Sequence, residues 1–334
     1  MCDEKIFLSF DDQLDRLEER KLYIGTGKER ENAKFTLQNV SYYVLVNGYK
    51  DIFIEQNTVT DNYQNATFVD LRDTFDFDKN LANIIFQYLL KIEDTFKTVL
   101  AHFTAQKFGH KEEDYLNISH YRRGKRIKDT YESGKMIEKL TRTCLVSCEP
   151  QIEHNRDAYD NIPPWVLTSA LSLDTLLFWY KLSDSSIKIK IVDSFFYTIR
   201  DHEEVYLEDS ERLELFLNCM MLIKEYRNRA AHGSRVMNHV TRHNLKKHLI
   251  PLYVKNNKIL DKLFNSGYGN SDIFAVFIVI TIMLSKRETV RSKFIEDVSA
   301  HFSGLEKENK ILYLNIIDKI NLPIDFKNIL GNMI

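Results

Sequence analysis

Residues 81–108 read LANIIFQYLLKIEDTFKTVLAHFTAQKF, and their periodicity decides the fold class. Ile84, Ile85, Tyr88, Ile92, Phe96, Val99 and Leu100 recur at helical spacing and fall along one face of an α-helix. Lys91, Glu93, Asp94 and Lys97 fall largely off that face. Gly109 follows at once, a natural terminator because glycine enters positive φ without a Cβ penalty. A run this long is far outside the usual length of a strand.

Further helices are expected on both sides. Upstream, Phe10, Leu14, Leu17 and Leu22 keep mostly helical spacing behind Ser9, a suitable N-cap. Ala33, Leu37, Val40, Tyr43 and Val44 form a second apolar face that closes near Asn47-Gly48. Residues 57–80 are polar with scattered aromatics and no period, and are expected to form a loop. Downstream, helices are expected over about 134–147, 164–182, 187–200, 210–232, 240–265, 271–285, 289–303 and 307–320. Pro163-Pro164 suits the first turn of the 164–182 helix, where a missing amide donor costs little. Trp165 and Trp179 are expected to share one face of that helix as packing anchors. The expected architecture is all-α: an N-terminal helical region (1–60), a helical core (77–250) and a C-terminal helical extension (251–334).

Composition agrees. The 334 residues include only 11 Gly and 5 Pro, too few for the frequent turns of a β-sandwich or barrel. With 44% hydrophobic and 28% charged residues, the chain can bury a core and is not disordered. A net charge of −2 argues against a polyanion binder held by an overall positive field. Four cysteines (Cys2, Cys144, Cys148, Cys219) are too few for a disulfide framework and point to the cytoplasm. Cys144 and Cys148 have no second pair to complete a zinc site, so neither metal nor cofactor is expected. The opening MCDEKIF lacks the apolar stretch of a signal peptide. The longest apolar run, Ile273 to Leu284, is shorter than the about 20 residues that cross a bilayer, so it is expected as a core helix and no membrane partner is expected. Gly25 and Gly27 in IGTGKER lack the preceding strand and the spacing of a phosphate loop.

Chemistry concentrates in residues 213–248, LELFLNCMMLIKEYRNRAAHGSRVMNHVTRHNLKKH. From Lys224 to His248 there are seven Lys or Arg, one acid and four His, whereas Asp201 to Glu214 holds seven acids and one Arg. The small net charge therefore conceals two opposite stretches. A basic stretch of this kind suits phosphate contacts, and equally a solvated face balanced by its acidic neighbour. Within it lies Arg227-Asn228-Arg229-Ala230-Ala231-His232. The Arg-to-His spacing alone says little, because Arg242 and His248 form a similar pair with no such context. The apolar helix before it and Gly233-Ser234-Arg235 after it are what mark the segment.

Metal-free RNA cleavage needs one group to take the 2′-hydroxyl proton and another to protonate the leaving 5′-oxygen. Histidine suits either role, and a guanidinium can stabilise charge on the phosphate oxygens. Residues five apart on a helix sit about 140° apart around its axis, so one copy does not easily make a compact site; two copies across a two-fold axis could. The alternative is that Arg227 pairs with an acid such as Glu225 while His232 merely ends a helix. A second basic group, Arg122, Arg123, Lys125, Arg126 and Lys128, lies beside Tyr121 in a loop-like stretch with the character of an RNA contact or of a solvated loop. Tyr42, Tyr43 and Tyr49 are candidates for base stacking or for core.

At these residues the chain resembles the Abi-like (abortive infection, AbiD/AbiF type) proteins, a branch of the HEPN superfamily. The resemblance runs in family order through FLSFDDQLDRLEERKLYI (7–24), NVSYYVLVNGYKDIF (39–53), LLKIEDTFKTVLAHFTAQKFG (89–109), PPWVLTSALSLDTLLFWYKL (163–182) and EYRNRAAHGSRVMN (225–238). It implies a HEPN-like helical bundle, a role in phage defence or a toxin–antitoxin-like system, and RNA as partner, including a small structured non-coding RNA. Arg227 and His232 become the candidate catalytic pair of a metal-independent endoribonuclease, composite across a homodimer, with Asn228 orienting the site. Arg235 and Asn238 match the trailing positions. Arg229, Arg242, Lys246 and Lys247 join the 122–128 cations as candidate RNA contacts. The alternative reading is a non-catalytic RNA-binding protein in a ribonucleoprotein with a small non-coding RNA. A third is a HEPN protein neutralised by a protein antitoxin near the motif.

Overall fold

The structure, a computed structural model, describes residues 7–54, 61–63, 66–197, 207–250, 253 and 257–333. Three helices open the chain: α1 (Phe10–Glu19), α2 (Lys28–Asn39) and α3 (Tyr42–Tyr49). Ser9 caps α1 through a reciprocal bond with Asp12, as its position in the sequence suggested. The second apolar face divides between α2 and α3, because the Ser41 side chain caps a new helix at Val44 N–H. Gly48 does not stop that helix but lies within it.

The long helix α4 (Phe68–Phe108) has 41 residues, about 60 Å of rise, and begins well before Leu81. Thr67 and Asp70 cap it reciprocally. The loop expected over 57–80 is thus corrected from residue 68 onward; residues 55–60, 64 and 65 lie outside the described residues. The physical reason is that the buried face here carries Thr74 and Asp78 between Phe68, Leu71, Phe77 and Leu81. Two polar residues on the inner face erased the apolar period. Glu93, expected off the face, is also buried, at 1% exposure.

Helices α5 (Glu112–Tyr115), α6 (Glu132–Val146), α7 (Pro150–Tyr159), α8 (Pro164–Leu167), α9 (Leu173–Leu182), α10 (Ser185–Asp193) and α11 (Asp209–Ala231) follow, with a short antiparallel hairpin, β1 (Arg126–Ile127) and β2 (Thr130–Tyr131), before α6. The expected 164–182 helix is broken, because Ser172 caps α9 afresh at Thr175 N–H. The two tryptophans therefore part: Trp179 is fully buried and donates to Tyr121 Oη at 3.1 Å, while Trp165 is 55% exposed and is no core anchor. Of the 187–200 helix, residues 198–200 lie outside the described residues, and α10 ends at Asp193. Helix α7 was not anticipated; it buries only Ile152 and so has no apolar period.

The C-terminal part holds α12 (Asn257–Asn265), α13 (Ile273–Met283), α14 (Glu288–Glu308), α15 (Lys310–Lys319) and the unanticipated α16 (Phe326–Gly331). Every residue of α13 is buried, the core helix expected of that apolar run. Among the described residues no helix is long and apolar enough to cross a membrane. The helix expected over 240–265 is corrected to a non-helical stretch with one 3-10 turn, Lys247–Leu249, and then α12; residues 251, 252 and 254–256 lie outside the described residues. Its amide donors serve other segments: Thr241 N–H bonds Ser271 O at 2.8 Å, Leu245 N–H bonds Asn270 O at 2.7 Å, and Lys246 N–H bonds Asn218 Oδ1 at 2.9 Å.

Helices α3, α8, α10, α11 and α14 all pack on α4, and one buried cluster joins residues from Leu14 to Met333. The C-terminal helices share it: Tyr88 of α4 donates to Asp297 of α14 at 2.6 Å, and His301 of α14 stacks on Phe77 at 4.2 Å between ring centroids.

His301 Nε2 donates to Phe77 O at 2.9 Å, and burial pulls its pKa below the usual 6.5. The unfolded chain protonates at the ordinary value and the folded one only lower, so falling pH draws the chain toward unfolding. Urea midpoints are expected to drop as pH falls below about 6.5. His301→Phe keeps the stack and should flatten that dependence; an unchanged slope in urea titrations across pH would contradict the assignment.

Candidate nucleic-acid interface

The Arg-Asn-x-x-x-His segment ends α11. Its apolar face (Leu215, Phe216, Cys219, Met220, Leu222, Ile223 and Tyr226) is buried, and Glu208 and Glu211 cap its start reciprocally. At the other end His232 is the C-cap and Gly233 takes φ +62°. Gly233 N–H bonds Ala230 O at 3.0 Å and Ser234 N–H bonds Arg229 O at 3.0 Å, the two bonds by which a left-handed glycine closes a helix. No atom lies within 4 Å of where a Cβ on Gly233 would sit, so glycine is needed there for its backbone alone.

Arg227 does not pair with Glu225. Its Nε donates to Glu93 Oε2 at 2.9 Å, and Lys97 holds the other Glu93 oxygen at 2.9 Å. Arg227 Nη1 donates to Asn228 Oδ1 at 3.3 Å. The side chain remains 30% exposed, and Nη2 has no hydrogen-bond partner among the described residues. The buried Glu93 thus holds the guanidinium at Nε and Asn228 holds it at Nη1, which leaves Nη2 open. His232 is exposed, and among the described residues no hydrogen bond or ion pair joins it to Arg227.

The chain after the helix is bolted to α4 and α3. Asp78, fully buried, accepts from Val236 N–H at 3.0 Å, Met237 N–H at 2.7 Å and Tyr49 Oη at 2.7 Å. Burial raises its pKa, and these hydrogen bonds pull against that rise. Arg235 donates to Gly48 O and Asp51 Oδ1, each at 2.5 Å, and lies over the Tyr49 ring. Asn238 Nδ2 donates to Asp51 Oδ2 at 3.2 Å, and Arg229 Nε donates to Arg235 O. Tyr49 is therefore core, while Tyr43 is 73% exposed.

The remaining candidates are scattered. Lys246 pairs with Glu214, Lys247 lies over the Phe264 ring, and the Arg242 side chain is exposed. Glu225 accepts from Arg242 N–H at 2.9 Å and from His243 Nδ1 at 2.6 Å; burial alone would raise its pKa, but these contacts hold it below the usual carboxylate value. Burial, and then the Arg229 charge, lower the pKa of His239. Arg122, Arg123, Lys125, Arg126 and Lys128 are exposed on and beside the β1–β2 hairpin, and among the described residues no hydrogen bond, ion pair or ring contact links them to the end of α11. The residues that sequence reasoning missed are the acids Glu93, Asp78 and Asp51. Glu93 had a signal: it stands four residues after Leu89 and three before Phe96, on the face those residues bury.

Fold and site together define an all-helical protein built around a long central helix that clamps a helix-terminal Arg-Asn-x-x-x-His segment. The family model described as Abi-like protein matches residues 35–238, more than half of the chain, and the chain belongs to that family. Membership suggests a role in abortive infection, a form of phage defence. The match closes at Asn238, the residue bound to Asp51. No curated protein and no solved structure matches the chain.

Glu93→Gln should weaken both of its ion pairs at a buried position and cost about 1–3 kcal/mol, the usual range for an impaired buried charge contact whose partner is partly solvated. Gly233→Ala should cost about 1 kcal/mol from positive φ alone. Urea unfolding measures both, and a Glu93→Gln variant as stable as the parent would show that the clamp contributes nothing.

Proposed function

We propose that the protein is an RNA-binding phage-defence protein of HEPN type and acts as a metal-independent endoribonuclease in the cytoplasm. Its site is composite, with Arg227 and His232 contributed by both subunits of a homodimer, and its companion is a small structured non-coding RNA. The observation that carries this reading is the half-engaged Arg227, fixed along Nε by the buried Glu93 and open at Nη2, in the same helix terminus as an exposed His232. A guanidinium fixed on one edge can meet a phosphate oxygen without losing further side-chain freedom.

In the proposed reaction one His232 takes the proton from a ribose 2′-hydroxyl. The 2′-oxygen forms a bond to phosphorus as the bond to the 5′-oxygen breaks. The partner's His232 gives that 5′-oxygen a proton, which leaves a 2′,3′-cyclic phosphate and a 5′-hydroxyl. Arg227 stabilises the charge on the non-bridging oxygens, and Asn228 limits the orientations open to Arg227 through its Oδ1.

Arg227→Ala or His232→Ala is expected to lower RNA cleavage by about 10²–10⁴-fold, with circular dichroism and dimer mass unchanged. Cleavage that persists in both variants, or that EDTA abolishes in the parent, would refute the mechanism. A second reading, a non-catalytic ribonucleoprotein, is favoured by the lack, among the described residues, of a hydrogen bond or ion pair between Arg227 and His232 within one chain. It predicts a discrete, uncut RNA that copurifies with the protein.

A further inference from the structure

The lysines and arginines near the motif are largely spoken for. Arg227 pairs with Glu93, Lys224 with Asp174, Arg235 with Asp51 and Lys246 with Glu214. The hairpin differs. Among the described residues Arg122, Arg123, Lys125, Arg126 and Lys128 form no ion pair with a carboxylate. Their contacts are with neutral groups: Arg122 with Ser185 Oγ, Arg123 with the Tyr131 ring, and Arg126 with Lys128 O.

The fold adds two more cations from a distant part of the sequence. Arg122 N–H bonds Leu182 O at 2.9 Å, which seats the hairpin on the junction of α9 and α10. Lys181 is exposed there, and Lys188 Nζ donates to Lys181 O at 2.6 Å and lies over the Tyr180 ring. Neither forms an ion pair among the described residues. The acid at this junction, Asp184, is taken by Lys107 at 2.6 Å and by Ser186. Asp129 in the hairpin turn and Glu132 at the start of α6 leave the cations in excess, and Glu132 is occupied by Lys125 N–H at 2.9 Å.

We infer that the β1–β2 hairpin, together with Lys181 and Lys188, is a phosphate-binding ridge that holds the RNA backbone apart from Arg227 and His232. The inference rests on the RNA reading given above. Cations crowded together without carboxylates paired to them repel one another, and an anion that bridges them relieves this. Lys188 shows the crowding: burial, and then the Arg122 guanidinium, push its ammonium down to about 8 despite the opposing pull of Asp184. A phosphate shared by Arg122 and Lys188 would reverse the second effect. Helix α9 separates the ridge from the motif. Its Asp174 end bonds Lys224 of α11 at 2.7 Å, its Lys181 end meets the hairpin, and ten helical residues rise about 15 Å. One strand could thus be anchored at the ridge while another part of it lies at the helix terminus.

The test compares the full-length parent, an Arg122→Gln/Lys188→Gln double variant and Arg227→Ala, each with labelled polyuridylate, inorganic polyphosphate and polyglutamate over a series of salt concentrations. Each lost phosphate contact lowers the salt slope by about 1, so the double variant should lose about 2 and bind about tenfold or more weakly. Arg227→Ala should lose no more than its single phosphate contact, about 1 in slope, and keep the parent's polyphosphate binding, while its cleavage falls by about 10²–10⁴-fold. Added polyphosphate should raise the Lys188 titration midpoint, read by NMR of labelled lysine. Should the double variant bind polyuridylate with the parent's affinity and slope, the ridge is wrong and the RNA reading stands. Should the parent bind no polyuridylate, the RNA reading fails, and polyphosphate then decides the ridge: binding lost in the double variant supports it, and unchanged or absent binding overturns it. Polyglutamate bound more tightly than polyphosphate would assign the surface to an acidic protein and overturn the proposal.

Discussion

Two buried carboxylates on one helix govern the rest. Asp78 and Glu93 both lie on the inner face of α4, where a charge is tolerated only if its oxygens are satisfied. Each is satisfied by the segment that carries the motif. Glu93 takes Arg227, before the helix end, and Asp78 takes Val236 and Met237, after it. Fifteen residues of helix separate the two acids, about 22 Å of rise, and α4 is unbroken between them. The helix terminus with His232 is thus suspended between two fixed points on one rigid rod. Lys79, next to Asp78, adds a bond to Gly233 O at the terminus itself. A broken α4 would leave both carboxylates buried without their partners, so the unbroken helix and the order of the site are one requirement.

The apolar part of this arrangement was legible in the sequence. The periodicity of Ile85, Tyr88, Ile92, Phe96 and Leu100, the run in α13 and the cap at Ser9 all fold as their spacing indicates. The polar part was not. A binary pattern treats Thr74, Asp78 and Glu93 as outward residues, and it misplaces them because their partners lie far away in sequence. The opposite error arose at 240–265, where apolar residues at near-helical spacing face a core but their amide groups bond other loops. Periodicity reports burial, and it reports a helix only when the backbone donors are left to the helix. Of the candidate site, the motif and its terminating glycine could be read directly; the acids that orient it could not, since pairing across 134 residues of sequence leaves no local trace.

Charge taught the same lesson. The net charge of −2 suggested no affinity for polyanions, and the run from Lys224 to His248 suggested one. In the fold most of that run is paired with acids from outside it, Glu93, Asp174, Asp51 and Glu214. The shorter run at 122–128 carries fewer charges yet, among the described residues, none of them is ion-paired with a carboxylate. An electrostatic footprint is set by which charges lack partners in space, and a count along the chain cannot supply that.

The helices beyond residue 250 lie outside the family match, yet they are tied to its most constrained part. His301 stacks on Phe77, the neighbour of Asp78, and Asn309 donates to Asp70 at the first turn of α4. Lys319 of α15 approaches Asp51 at 3.7 Å, and Asp51 is the carboxylate that also holds Arg235 and Asn238. Three donors from two parts of the chain thus share one acid. If α15 shifted, Asp51 would lose a cation and hold Arg235 and Asn238 in a changed field, and these two anchor the loop that leaves the helix terminus. The C-terminal extension is therefore a structural part of the motif's support, because the charge balance at Asp51 includes it.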